Sequence, residues 1–405
     1  MKKPIYVALL SFVVLSCKTK EVEIKEITFE NRYKFSEDIE NSVQGLEPLN
    51  PDYQDSSVDY SYVVNHEKAL EHWDLATNAQ PKEHKQKQLD SVRNLYKVND
   101  AKDYILSQAD HEKIIMINEM HYNATHRIFT ETLLKDLYAK GYKNLCLEAL
   151  NNDGSDTLLN ALRYSKYEFG TYLWNPQFSN MIREALKIGF KIHAYETKGD
   201  IGGEVREIDQ ANNMAKIIEE NPDEKFLIHC GSGHALEGNI KFFGGVALAG
   251  RLDQMTGIDP FTIDQVFYSE KSKRENSNIF SQAFNFENYS ILFDKNSKPF
   301  GYKRGKAWMD LVVFHPITTY INKRPNWVFE RGNKDVEINM DKINLEFPVM
   351  VLAFNSNEEL QKAIPIDITE VEDKDAGCHL GLPKGNYNIV VTNKSESILF
   401  KKDVL

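Results

Sequence analysis

The chain has 405 residues, 41% of them hydrophobic and 27% charged, with a formal net charge of −11. It is too apolar to be disordered and long enough for two or three domains at roughly 100–200 residues each. The negative balance gives it no electrostatic reason to seek phosphate backbones, which excludes nucleic acid as an expected partner.

The N-terminus reads as an export signal. Lys2 and Lys3 precede an almost unbroken apolar run from Pro4 to Leu15, too short to span a bilayer as a helix. The run ends in Val14-Leu15-Ser16-Cys17, a small residue before Cys after an apolar pair, as lipoprotein processing requires. Residues 1–17 are therefore expected to be a lipoprotein signal peptide with a lipidated Cys17. The expected location is the cell envelope, on the outer membrane or facing the periplasm, with the membrane as partner through the lipid. A plain secretory signal with an incidental Cys is the alternative. Loss of residues 1–16 removes two lysines, leaving −11 − 2 = −13. The other cysteines are Cys146, Cys230 and Cys378; with no CxxC they suggest neither a disulfide framework nor a cysteine zinc site. Cys146 and Cys230 sit in apolar runs as expected core residues, and a bridge between them requires neighbouring strands.

Residues 18–55 are polar and charged and read as a flexible tether. Residues 56–108 read as a helical lead-in, with Ala69, Leu70 and Trp73, then Leu89, Val92 and Tyr96, at helical spacing. From about 109 to 325 short apolar runs alternate with helical patterns. Strands are predicted at 114–117, 145–147, 191–195, 226–229, 261–268 and 311–314. Phe129, Leu133 and Leu137 mark a helix stopped by Gly141, and further helices are predicted at 176–188 and 205–220. Repeated βα units with fully apolar strands predict an α/β domain: a mostly parallel sheet covered by helices on both faces. Residues 326–405 carry strand-like runs such as Val349–Phe354 and Tyr387–Val391 with Gly and Pro turns, expected as a small all-β, sandwich-like domain.

Ligands of an open parallel sheet bind at the carboxyl ends of its strands. The strand exits here are rich in His and Glu: Glu119 and His121, with His126 and Arg127 a turn later; Glu148; His193 and Glu196; His229, then Gly231-Ser232-Gly233-His234; and His315. Taken singly, His193, His229 and His315 are expected as hydrogen-bonded structural groups, Glu196 as a partner of Lys191 or Lys198, and His126 as a cap or packing group; taken together at one edge, His126, His193 and Glu196, with Gly231, Ser232 and Gly233, are candidate binding residues. Glu119, His121, Glu148 and His234 follow strands directly and are the stronger site candidates. The turn Gly231-Ser232-Gly233 lets backbone approach a ligand, and its amides could cradle an oxyanion.

The stretch Ile117-Asn118-Glu119-Met120-His121, His126-Arg127, Leu133-Leu134, Leu137, Gly141-Tyr142 and Leu147-Glu148-Ala149 resembles the opening of the superfamily that groups erythromycin esterase-like proteins, haem-binding ChaN-like lipoproteins and Tiki/TraB proteins. Arg206, Met214 and Gly231-Ser232-Gly233-His234 follow in the order of that superfamily's later Arg, Met and second Gly-x-x-His. The resemblance covers about residues 111–270. Asn118 stands where the first Gly is usual; Asn tolerates unusual backbone angles, so the turn is expected to survive.

The resemblance implies a site of Glu119, His121, Glu148, Arg206 and His234, but not one chemistry. In the hydrolase reading Glu119 or Glu148 orients an imidazole, and His121 or His234 takes a proton from water that attacks an ester, lactone or amide of a small-molecule or peptide substrate. Arg206 or the glycine-turn amides stabilise the oxyanion. A metal version uses His121, His234 and a carboxylate as ligands, without HExxH support. Ser232 lacks the first Gly of a nucleophile elbow, since Cys230 stands there, and reads as a turn residue. The alternative is a haem- or iron-compound-binding lipoprotein with a His or Tyr axial ligand, Tyr122 and Tyr195 being near the site. A third reading is a scaffold whose site has decayed.

Overall fold

The computed structural model describes residues 23–405 apart from 200 and 241–244. The signal segment and Cys17 lie outside the described residues. Six short strands form one sheet: β1 (Ile114–Glu119), β2 (Tyr142–Leu147), β3 (Lys191–Ala194), β4 (Lys225–Gly231), β5 (Phe261–Asp264) and β6 (Leu311–Val312). Their order is β6-β5-β1-β4-β2-β3, and every adjacent pair is parallel.

Side-chain alternation explains why these strands are apolar throughout. Ile115, Ile117, Leu145, Leu147 and Leu227 face one layer, with Phe129, Leu133 and Leu137 of α1 (Ala124–Ala139) and Phe178, Met181 and Ile182 of α2 (Pro176–Ile188). Ile114, Met116, Cys146, Phe226 and Ile228 face the other, with Ala211 and Met214 of α3 (Gly203–Glu220) and Leu248 and Leu252 of α4 (Leu248–Thr256). Both faces are covered, as a parallel sheet requires. Cys146 and Cys230 are buried, free thiols in that second layer; their strands are neighbours, but Cys146 sits beside Ile228 in the register.

The chain builds β1, β2 and β3, then returns to insert β4 between β1 and β2, and afterwards adds β5 on the far side of β1. The carboxyl ends of β1, β4 and β2 therefore lie side by side at the point where the strand order reverses, which is where such sheets bind ligands.

The expected tether does not extend to residue 55. Lys25–Glu26 pairs with Leu399 and Ile398, Ser36–Val43 and Asp52–Tyr62 are helices, and Tyr33, Phe35, Ile39 and Val43 are buried. Val43 packs locally with Tyr53 and Ala76, but Tyr33, Phe35 and Ile39 share a cluster with Met350, Leu352 and Phe354 from the far end of the chain, which local composition conceals. The lead-in is likewise not all helix: Tyr96–Asp100 pairs antiparallel with Ser290–Asp294.

At the C-terminus an antiparallel five-stranded sheet is completed by Lys25–Glu26. Along Val349–Asn355, Val349, Val351 and Ala353 pack with Leu380 and Leu382, while Met350, Leu352 and Phe354 pack with Tyr33, Ile39 and Tyr60 and with Tyr122, Ala124 and Ile128 beside α1. This sheet thus shares a core with the N-terminal helices and the α/β domain.

Leu352→Ala should cost about 2–5 kcal/mol. Because that core joins all three parts, unfolding followed by tryptophan fluorescence and by circular dichroism should shift together. Two separated transitions, with only one displaced, would contradict the shared core.

Candidate active site

Glu119 ends β1 with its side chain 2% exposed, and it is held from two sides. Arg127, fully buried on α1, places Nη2 2.9 Å from Glu119 Oε2 and donates from the same nitrogen to the His121 carbonyl at 2.9 Å. His126 Nδ1 accepts the Met120 N–H at 3.0 Å, and Asn123 Oδ1 accepts the Thr125 N–H at 3.1 Å to start α1. The loop between strand and helix is thereby pinned at both ends. Burial pushes the Glu119 carboxyl upward, but Arg127 and His121 outweigh it and bring its pKa down to about 2.

His121 Nδ1 lies 2.6 Å from Glu119 Oε1. Since the carboxylate only accepts, Nδ1 is the donor, a tautomer whose lone pair lies on Nε2. Nε2 has no protein partner among the described residues, and the side chain is 23% exposed. The ring stacks on Tyr172 with centroids 3.5 Å apart and planes 13° apart.

A second cluster forms around Glu148, the residue after β2. Its carboxylate accepts the Gly231 N–H from the end of β4, an Arg206 Nη2 bond at 2.6 Å, and faces His234 Nε2 at 3.1 Å. His234 Nδ1 lies 2.8 Å from Glu207 Oε1, and Glu207 Oε2 accepts the Leu248 N–H at the start of α4 at 2.8 Å. Burial opposes charge on His234, yet Glu148 and Glu207 raise its pKa to about 10. His234 is therefore an imidazolium with both nitrogens donating. It has no lone pair to serve as a base, which corrects the expectation that it could take a proton from water. Arg206 is held by Glu196 through Nε at 3.1 Å and Nη2 at 2.5 Å, and Gln210 Nε2 donates to both Glu196 oxygens. Glu196 thus positions Arg206 rather than pairing with Lys191 or Lys198.

The two clusters meet at Gly231. A Cβ there would sit 2.9 Å from Glu148 Oε2 and 3.3 Å from His121 Cε1. Glycine is needed for this close approach. Because its N–H is taken by Glu148, Gly231 is not a free oxyanion donor, contrary to expectation. Ser232 and Gly233 form the crest of the turn closed by His234 N–H to Gly231 O at 3.2 Å.

Other candidates stand apart. His193 Nε2 meets Asn144 Oδ1 at 2.8 Å, and burial lowers its pKa to about 4. His229 lies inside β4, near Thr130 Oγ1 at 3.3 Å and edge-on to Phe178; burial lowers it to about 4. His315 pairs with Gln265 at 3.0 Å and is lowered to about 3 by burial. His126 is a buried cap, not a ligand contact. Tyr195 and Met214 pack in the second sheet layer, and buried Tyr122 stacks on Trp73 at 4.5 Å, so none of the three offers itself to an external haem. Asn118 does not replace Gly by backbone freedom: it lies in β1 outside the positive-φ residues. Its amide reaches Ser232 O at 3.2 Å and Asp264 Oδ1 at 3.0 Å and accepts the Gln265 N–H at 2.8 Å.

Sequence reasoning missed Tyr172, which lies in an irregular segment without periodicity, and Glu207. Glu207 had a signal: it falls in the helical stripe Gln210, Ala211, Met214 and Ile218, where an acidic residue must be buried and paired. The donor set does not fit a metal. Among the described residues no group of three or more His, Cys, Asp or Glu is arranged to hold one, and His234 is committed to two carboxylates.

No family model and no curated protein matches the chain. Among solved structures it is similar to the type III effector HopBA1, with 12% identity and a TM-score of 0.33 over 54% of this chain and 94% of that one. It is also similar to a chain described as bacterial protein toxins (16% identity, TM-score 0.31, 50% of this chain and 44% of that one). A third is RRSP, a MARTX toxin effector domain from Vibrio vulnificus CMCP6 (19% identity, TM-score 0.28, 50% and 44%). The chain spans less than half the length of these last two.

The His234 ring should not titrate between pH 6 and 8 in nitrogen-detected NMR, and Glu207→Gln should bring its titration down toward neutrality. Its raised pKa contributes stability that is full below about 6.5 and is lost as pH rises through about 10. Glu119 acts oppositely: its contribution is full above 4.5 and is lost as pH falls through about 2. Urea unfolding across this range should show wild type losing its advantage over Glu207→Gln toward pH 10; a pH-independent difference would refute the assignment.

Proposed function

We propose that the chain is a hydrolase of ester, lactone or amide bonds, with His121 as general base and Glu119 as the group that orients it. The observation that carries this reading is the 2.6 Å Glu119–His121 pair, its Nε2 unclaimed among the described residues on a side chain 23% exposed, across Gly231 from the Glu148 cluster that holds His234 and Arg206. His121 Nε2 takes a proton from water as the hydroxyl adds to the carbonyl carbon. The C–O or C–N bond then breaks, and the proton passes from His121 to the leaving group. Arg206, whose Nη1 makes no hydrogen bond among the described residues, and His234 supply positive potential for the developing oxyanion. Tyr172 holds the His121 ring in plane.

This reading agrees with the resemblance to erythromycin esterase-like, ChaN-like and Tiki/TraB proteins. With lipidation at Cys17 it gives an enzyme anchored in the cell envelope that acts on a small-molecule or peptide substrate there. Cys17→Ser should move the chain from the membrane fraction to the soluble one.

On a panel of esters, lactones and amides, His121→Ala should lower kcat by roughly 10²–10⁴-fold, with the thermal transition unchanged. Glu119→Gln should lower it too, and turnover should persist in EDTA. An intact panel response in His121→Ala would sink the proposal.

A further inference from the structure

A cavity of about 790 Å³ opens on the same edge of the sheet as the active site. Its lining is mostly apolar, and its size falls in the range of small-molecule pockets. Ser232 and Gly233, the crest of the glycine turn, form one wall. The same turn begins at Gly231, whose N–H is bound to Glu148 and where a Cβ would lie 3.3 Å from His121 Cε1. One backbone turn therefore separates the proposed base from the cavity.

The rest of the lining combines an aromatic face with two cations. Phe267, 39% exposed, stacks on Tyr302 with centroids 4.2 Å apart and planes 16° apart. Beside this pair the strands Tyr302–Arg304 and Ala307–Met309 turn through Gly305 and Lys306, with Gly305 at φ +63°, the position of a tight hairpin that calls for glycine. That rigid turn sets Arg304 and Lys306, both exposed, on the cavity rim, and neither pairs with a carboxylate among the described residues. In a chain of net charge −11, two cations without a carboxylate partner among the described residues, Arg304 hydrogen-bonded to Tyr302, beside the exposed Phe267 ring are a local reversal of charge. Long-chain cations near a planar apolar platform suit an anionic amphiphile, which gains both stacking and charge-assisted hydrogen bonds.

We infer that this cavity is the substrate-recognition pocket of the site and that it takes an amphipathic molecule with a flat apolar body and an anionic group. Phe267 and Tyr302 receive the body, Arg304 and Lys306 the anion, and the scissile bond passes over the Gly231–His234 turn to His121. The inference rests on the hydrolase reading for the cleavage, but not for the binding.

Two measurements on the full chain separate the two. In the first, fluorescence titration with 8-anilinonaphthalene-1-sulfonate should show saturable binding that weakens about tenfold or more in Arg304→Glu/Lys306→Glu and weakens in Phe267→Ala, with unchanged thermal transitions. In the second, hydrolysis of 4-acetoxybenzoate should exceed that of neutral phenyl acetate in kcat/KM. The double variant should remove that preference by raising KM for the anionic ester, leaving phenyl acetate unchanged. Dye affinity and ester preference both untouched by charge reversal would overturn the pocket. If no ester is turned over by the wild type, the hydrolase reading fails, and the dye titration alone upholds or overturns the pocket.

Discussion

The site is organised by the burial of one carboxylate. Glu148 is 5% exposed and sits at the exit of β2, where a charge without partners would cost several kcal/mol. Burial pushes its carboxyl upward; His234, then His121 and Arg206, hold it well below the usual carboxylate range. Each partner comes from a different element: Arg206 from α3, His234 from the turn after β4, and a backbone N–H from Gly231 itself. The requirement to neutralise Glu148 therefore fixes the distance between β2, β4 and α3. It also demands a residue without a Cβ at position 231.

Seen this way, the site has two halves belonging to the two layers of the sheet. On the α1 side a buried Arg127 faces Glu119, which holds His121. On the α3 side Arg206, Glu207 and His234 surround Glu148. Each half pairs carboxylates with cations, yet their imidazoles differ. His234 is gripped by two acids and locked as a cation. His121 is bound by one acid at Nδ1 and left open at Nε2. Environments that push like groups toward unlike roles are the usual way one site assembles an acid–base set. The two halves meet at Gly231, where a Cβ would reach both Glu148 and His121.

Much of this was legible because apolar runs betray buried strands and the residues after them must lie at one edge. Glu119, His121, Glu148, Arg206 and His234 were found that way and by resemblance. His193 and His229 sit inside β3 and β4 as hydrogen-bonded structural groups, as expected of each taken singly. The end of β4 runs two residues past the predicted His229 to Gly231. Tyr172 was invisible because its position depends on an irregular segment, not on a period. The folded state of residues 23–55 was hidden for a different reason. Their apolar residues are sparse, and part of the core that buries them, such as Met350 and Leu352 against Tyr33 and Ile39, lies more than 300 positions away.

Those distant contacts also bear on the site. Tyr33, in the segment read as tether, donates its hydroxyl to the Trp174 carbonyl at 3.0 Å, two residues beyond Tyr172. Asn175 caps α2 and donates to the Ser61 carbonyl at 2.8 Å. Tyr122, the neighbour of His121, stacks on Trp73 of the helix His66–Ala76. Aromatic stacking of this kind contributes about 0.5–1.5 kcal/mol beyond burial, a modest amount, but here it acts on the loop that carries His121. The segments on either side of the His121–Tyr172 stack are therefore braced by N-terminal helices that share a core with the C-terminal sheet. A detached module would not need to bury its inner face against Tyr122 and Ile128. The outer parts of the chain are thus better understood as the back wall of the site than as a linker and an appended domain.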